Sequence, residues 1–192
     1  MIRIRGRRLS DRYPHMAFRH SGGAGGLAVL SRRPFAELDY VTSPGGWFPA
    51  WRVVLRTPLG RVQVLQLHLR PPVSDGGSFV SGYFTTPKFR RMEVEHFTRC
   101  LDARLPTLVV GDFNEDRGGR ALRYLRDHGL KSVLPEYQPD ATTWRWNTSL
   151  GIRLTHTLDH IVYGPRLEPL EARVVRAGRS DHMPVLAVFQ RS

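Results

Sequence analysis

Six short apolar runs limit what this chain can fold into. They are Gly26–Leu30, Ala50–Arg56, Arg61–Leu69, Thr107–Val110, Leu158–Tyr163 and Val185–Phe189, each bounded by Gly, Pro, Ser or polar residues. Runs of this length, rich in Val, Leu and Ile, predict strands, several of them buried on both faces. Thr57-Pro58-Leu59-Gly60 joins the second and third as a hairpin turn. Helical periodicity is confined to two places. Thr86-Pro87 reads as a cap followed by Pro at the first helical position. Phe89, Met92, Phe97, Cys100 and Leu101 then recur at helical spacing to about Leu105. A second helix near Gly119–His128 carries Ala121, Leu122 and Leu125 and stops at Gly129. Strands outnumber helices, so the expected class is α/β or α+β, a sandwich of sheets covered by helices. A length of 192 residues with 41% hydrophobic content suits a single domain, 1–192, and no repeat or linker divides it.

The chain is strongly basic, with 29 Lys and Arg against 17 Asp and Glu and a formal charge of +12. Such a field attracts polyanions, either nucleic acid or an anionic membrane surface. Arg supplies all but Lys88 and Lys131, which equally fits the codon bias of a bacterial high-GC genome. The charge is uneven: residues 1–33 hold eight Arg and one acid, a net of +7. A lone Cys100 excludes an internal disulfide framework and a Cys-rich zinc site. No apolar stretch is long enough to span a membrane, no secretory h-region follows Met1, and a cytoplasmic monomer is expected.

Acidic, amide and imidazole groups recur at strand ends. Leu108–Asn114 runs from an apolar strand into Gly111-Asp112-Phe113-Asn114. Asp112 and Asn114, two apart, point the same way if the backbone stays extended, and together can orient a water or share a hard cation with a phosphate oxygen. A plain turn explains the same residues. Ser180-Asp181-His182-Met183-Pro184 precedes a strand, where Asp can bind a cation or water while His acts as base or charge stabiliser. Asp159 sits inside Leu158–Tyr163, a run that otherwise reads as core, and so needs a His⁺ or a metal as partner. His68 ends the strand Val62–His68 just before Arg70-Pro71-Pro72.

The ordered set of strand-His, GDFN, strand-LDH and SDH-Pro-strand resembles the endonuclease/exonuclease/phosphatase superfamily. Gly25–Pro34 (GGLAVLSRRP) resembles its glycine–strand–Ser-Arg-x-Pro segment, and Thr142-Thr143-Trp144 its threonine–tryptophan element. The resemblance covers about residue 9 to the end. It implies a four-layer sandwich of two mainly antiparallel sheets flanked by helices, and a phosphoester hydrolase dependent on Mg²⁺ or Mn²⁺. Carried over by motif, Asp112 orients or deprotonates the attacking water and lies at the metal with Asp181. Asn114 holds water or phosphate, and His182, oriented by Asp159, contacts the scissile phosphate. His68 binds phosphate or assists the leaving oxygen, with Arg70 and Trp144 bordering the substrate.

The front of the chain departs from the family pattern. Members begin with a strand carrying Asn and a strand ending in Gln-Glu, whose Glu is the main metal ligand. Here no Glu precedes Glu37 and no Asn precedes Asn114, and Glu37 follows the matched strand rather than leading it. Leu9–Pro14 resembles the end of the helix after that Glu. The expectation is a domain truncated at its N-terminus, with residues 1–8 disordered or non-native and activity greatly reduced until an upstream extension is restored.

Substrate choice divides three ways. The basic surplus favours nucleic acid, and the superfamily also contains phospholipid and inositol-phosphate phosphoesterases. Trp47, Phe48, Trp51, Trp144 and Trp146, with Arg52 and Arg145, suit base stacking or a lipid interface, or plain core packing. The Gly-rich loop from Arg70 to Lys88 is expected to border the cleft. A non-catalytic polyanion-binding module is the competing class. It predicts DNA binding that falls steeply with salt.

Overall fold

The computed structural model describes residues 3–4, 7–22, 25–73, 76–77, 79–148 and 151–192. The strands are β1 (Arg3–Ile4), β2 (Arg7–Arg8), β3 (His15–Arg19), β4 (Leu27–Ser31), β5 (Phe35–Val41), β6 (Ala50–Thr57), β7 (Gly60–His68) and β8 (Thr107–Asp112). They continue with β9 (Lys131–Ser132), β10 (Trp144–Asn147), β11 (Arg153–His156), β12 (Asp159–Tyr163), β13 (Leu167–Val174) and β14 (Val185–Arg191). The helices are α1 (Leu9–Arg12), α2 (Phe79–Thr85), α3 (Pro87–Phe97), α4 (Arg120–Asp127) and α5 (Leu134–Tyr137).

A central six-stranded sheet has the order β5-β6-β7-β8-β12-β9, and β3–β4, β10–β11 and β13–β14 form antiparallel pairs. Every pairing in the central sheet is antiparallel except β7 with β8. Alternation along each strand sorts the core into layers. Leu65, Leu67, Val109 and Val162 face α3 and α4, meeting Val94, Phe97, Ala121, Leu122 and Leu125. From the opposite face Val62, Leu108 and Ile161 meet β13–β14, while Trp51, Val53 and Val64 meet Val29 and Leu27 of β4 and Ala17 of β3. The architecture is a mixed α/β sandwich of β-sheets flanked by helices, as the sequence pattern anticipates.

Several local expectations change. The first helix stops at Phe97, and after a single 3-10 turn, Thr98–Cys100, Leu101 is extended with φ −71° and ψ 135°. Buried Gln63 draws the chain out of the helix, because its side chain accepts from the Asp102 N–H and donates to the Asp102 carbonyl. The buried face of α3 is Arg90, Glu93, Val94 and Phe97, whereas Met92 is exposed. The stretch read as a loop before Lys88 contains α2, although its Ser74, Asp75 and Ser78 lie outside the described residues. So do Met1, Ile2, Arg5 and Gly6 of the segment 1–8, in which β1 pairs with β2. Pro169 sits at a register irregularity in β13, which conceals that strand from a sequence pattern.

The parallel β7–β8 pair depends on one glycine. Gly111 has φ +141°, and a Cβ there would lie 1.9 Å from the Leu67 carbonyl oxygen. Leu67 and Gly111 are register partners, and the next rung is His68 with Asp112. Gly111→Ala is therefore expected to force β7 from β8 at the rung before these two side chains. A loss of about 3 kcal/mol in chemical denaturation is expected, and a wild-type melt would contradict the close approach.

Candidate active site

Three adjacent strands deliver three polar groups to one edge of the sheet. Parallel pairing aligns the last residue of β7, His68, with the last of β8, Asp112. Antiparallel pairing sets Asp112 opposite Asp159, the first residue of β12. The fourth group, His182, comes from the segment before β14. Its backbone bridges Trp144, and the Met183 N–H donates to the Thr143 carbonyl at 2.7 Å. The fully buried Thr143 hydroxyl also accepts from the N–H groups of Leu158 and Asp159, each at 2.9 Å. One threonine thus ties the Asp159 strand end to the His182 segment.

The side chains converge. His182 Nδ1 lies 2.8 Å from Asp159 Oδ2, and His182 Nε2 lies 3.9 Å from Asp112 Oδ2. His68 Nε2 approaches the same Asp112 oxygen at 3.5 Å, with its ring stacked on Phe48 at 4.1 Å between centroids. Burial, aided by the charge of Asp159, pushes the Asp112 carboxyl up to about 7. The Asp159 hydrogen bond raises the His182 imidazole above its ordinary value. Asp159 contributes to both shifts, which gives a double signature. Asp159→Asn is expected to lower the pKa of His182 and that of Asp112 together, read by NMR titration of the ring and carboxyl carbons in chelator. Movement of only one would show that Asp159 does not couple them.

Other sequence-derived candidates occupy different surroundings. The GDFN backbone does not stay extended: Asn114 has φ +51°, and its N–H turns back onto Asp112 Oδ1 at 2.8 Å. Asn114 Nδ2 donates to the Leu69 carbonyl at 2.9 Å, so the amide braces the β7 exit. Asp181 is exposed, and its carboxylate accepts from the Trp144 indole at 3.2 Å. The Arg70 guanidinium is buried between the rings of Trp47 and Phe89, at 4.9 and 4.7 Å from their centroids. Among the other aromatics, Trp51 is fully buried core, whereas Trp146 is more than half exposed.

A buried polar network beneath these loops escapes a sequence reading. Arg90 Nε pairs with Glu115 at 3.3 Å, and its Nη1 donates to the Arg70 carbonyl and to Thr86 Oγ1. Glu93 accepts from the Arg70 N–H and the Ser43 hydroxyl. Glu115 Oε1 accepts from the Ala121 and Leu122 N–H groups that open α4. Arg90 and Glu93, three apart on a helix, resemble an ordinary solvent-side ion pair. Their alignment with Val94 and Phe97 is the signal that could have placed them inside.

Among the described residues, Asp112, Asp159 and His182 offer ligand atoms within 4.8 Å of one another. Asp181 is not in that group. Two carboxylates facing one another, one of them pushed up by burial and by the charge of the other, fit a hard divalent cation that would relieve both penalties.

Comparison with known proteins identifies the family and the fold. The sequence profile of the Endonuclease/Exonuclease/phosphatase family matches residues 3–182. An endonuclease/exonuclease/phosphatase from Beutenbergia cavernae superposes with TM-score 0.73 at 20% identity, over 95% of this chain and 55% of that one. The human Nocturnin catalytic domain, solved with a bound sulfate anion, gives 0.66 at 18% identity, over 93% and 72%. The 3'-5' exonuclease NExo from Neisseria meningitidis gives 0.65 at 18%, over 91% and 79%. The chain thus spans little more than half the length of the first of these. No curated protein sequence matches it. With its profile match spanning nearly the whole sequence, the chain belongs to the Endonuclease/Exonuclease/phosphatase family.

Proposed function

We propose that residues 1–192 form one catalytic domain, a divalent-metal-dependent phosphodiesterase of the nuclease type. It would act by in-line attack of an activated water. The observation that carries this reading is geometric: Asp112, Asp159 and His182 bring ligand atoms within 4.8 Å of one another, with His68 Nε2 3.5 Å from the same Asp112 carboxylate. A carboxylate placed there can accept a proton from the attacking water. Asp112 takes that role. His182, oriented through Nδ1 by Asp159, presents Nε2 to the oxygens on which charge develops. His68, on the opposite side of Asp112, contacts phosphate or the leaving oxygen. Asn114 keeps its amide oxygen and second N–H for water or phosphate.

Mg²⁺ or Mn²⁺, held by the carboxylates of Asp112 and Asp159, would polarise the phosphoryl oxygens, and Asp181 would join them only by turning from the Trp144 indole. Glu37 does not join this set. It lies on edge strand β5 in an ion pair with Arg19. So few carboxylates leave Mg²⁺ held largely by water and substrate phosphate.

One panel tests the reading. Single- and double-stranded DNA, RNA, a water-soluble phosphodiester and phospholipid vesicles are incubated with Mg²⁺ and with chelator. Cleavage of a nucleic acid that is lost on chelation is expected. Turnover of lipid or small phosphodiester alone would move the assignment to those classes. Salt-sensitive binding of DNA without turnover of anything would leave a polyanion-binding module.

A further inference from the structure

The basic surplus that follows the Arg-rich start is concentrated on one surface. Beyond Arg33 the chain carries a net +5, and residues 117–131 account for +4 of it, with Arg117, Arg120, Arg123, Arg126 and Lys131 against Asp127. All five cations are exposed, and among the described residues no carboxylate pairs with any of them. The nearby Asp116 is occupied elsewhere, accepting from the Thr157 N–H and pairing with His156. Arg117, Arg126 and Lys131 surround a hollow of about 410 Å³ between α4 and β9, floored by Leu122 and Pro135, and its lining carries no carboxylate. Arg120 and Arg123 continue the row on α4.

The row starts beside the candidate active site. Arg117 is three residues beyond Asn114, so their Cα atoms are at most about 11 Å apart. Arg120 and Arg126 are separated by six helical residues, about 9 Å along α4. The cations are therefore spread over a longer stretch than one small anion covers. Arg117 donates to the Pro139 carbonyl at 3.4 Å, and with no carboxylate in the lining an entering anion meets only positive side-chain charge.

We propose that this hollow and the α4 row form a phosphate-backbone exosite, which holds a single nucleic-acid strand extending away from the scissile phosphate. The identity of the polyanion rests on the phosphodiesterase reading, while the positive surface itself does not. Bound there, the strand lengthens the contact beyond the nucleotide being cleaved and raises affinity without touching the chemistry. Long substrates are therefore favoured through KM, while a small phosphodiester is indifferent to these residues.

The test compares charge removal at two places. R117Q/R126Q/K131Q removes the cations of the hollow, and R56Q/R61Q/R191Q removes the same charge from the β6–β7 hairpin and the end of β14. Binding of fluorescein-labelled dT15 is followed by anisotropy in chelator across a salt series, so that no cleavage is required. The first variant should bind tenfold to a hundredfold more weakly at about 0.1 M salt, with a salt slope shallower by about 2. The second should stay within about threefold of wild type. R117K/R126K, which keeps the charge, should retain binding and controls for folding. Hydrolysis of bis(p-nitrophenyl) phosphate should be unchanged in all three. Equal losses in both triple variants would mean a general field and overturn the exosite. Unchanged dT15 binding in the first would also overturn it, as would loss of phosphatidylserine-vesicle binding with dT15 binding intact. If dT15 binding behaves as stated but no substrate is cleaved, the phosphodiesterase reading fails and the exosite stands.

Discussion

Asp112→Asn is expected to lower phosphodiester hydrolysis by about 10²- to 10⁴-fold, the range for loss of a positioned base, and to stabilise the protein at pH 8. The sign follows from the environment of the carboxyl. Burial and Asp159 push Asp112 up to about 7, against about 3.9 in an unfolded chain. Between those values the folded state holds a proton that the unfolded state has released, so stability falls as pH rises through that window. Above it the buried carboxylate costs up to about 4 kcal/mol. Asparagine removes that cost and can still accept from the Asn114 N–H through Oδ1. It also gives up the attraction to His182, so the net gain should be nearer 1–3 kcal/mol at pH 8 and vanish near pH 4. Denaturant melts in chelator at the two pH values measure this. A variant that is inactive and also destabilised at pH 8 would show Asp112 to be structural.

Arg90→Met should have the largest effect on stability, a loss of about 3–5 kcal/mol, because it strands two buried carboxylates. Glu115 loses its partner at 3.3 Å, and Glu93 loses a neighbouring positive charge. The Arg70 carbonyl, two residues beyond His68, and Thr86 Oγ1 lose donors as well. A domain with a total of about 5–15 kcal/mol would then be marginal. Pairing the change with Glu115→Gln should recover part of the loss, giving a coupling of about 0.5–3 kcal/mol in a double-mutant cycle. Additive losses would mean that the ion pair contributes nothing of its own.

The strands and the polar groups at their ends were legible because both follow short-range rules. Val and Leu runs ending in Gly111-Asp112 or His68 mark where an apolar strand meets an edge, and β7, β8 and β12 pair there as the motif order implies. What lay beyond reading was anything requiring the third dimension. Gln63 cuts α3 short by holding Asp102, 39 residues away in sequence. Arg90 and Glu93 look like surface charges until Glu115, Arg70 and Ser43 are seen around them. Adjacency to His182 places Asp181 at the site, but not the hydrogen bond its carboxylate accepts from the Trp144 indole. That +7 of the +12 lies in residues 1–33 was legible, but not that Arg117, Arg126 and Lys131 gather around one hollow between α4 and β9. In each case the missing information is which distant segment packs alongside.

The convergence of strand ends also has a kinetic consequence. His68 and Asp112 are 44 residues apart, Asp112 and Asp159 are 47 apart, and Asp159 and His182 are 23 apart. No local hairpin or helix brings any two of them together. Loop closure must already have been achieved before the first pair meets, so these contacts belong to the late, slow part of folding. A cation or phosphate captured by the cluster therefore finds no partial site on collapsed intermediates. It can act only by draining the completed native state, and titrating it into a refolding reaction should slow unfolding while leaving the folding rate unchanged.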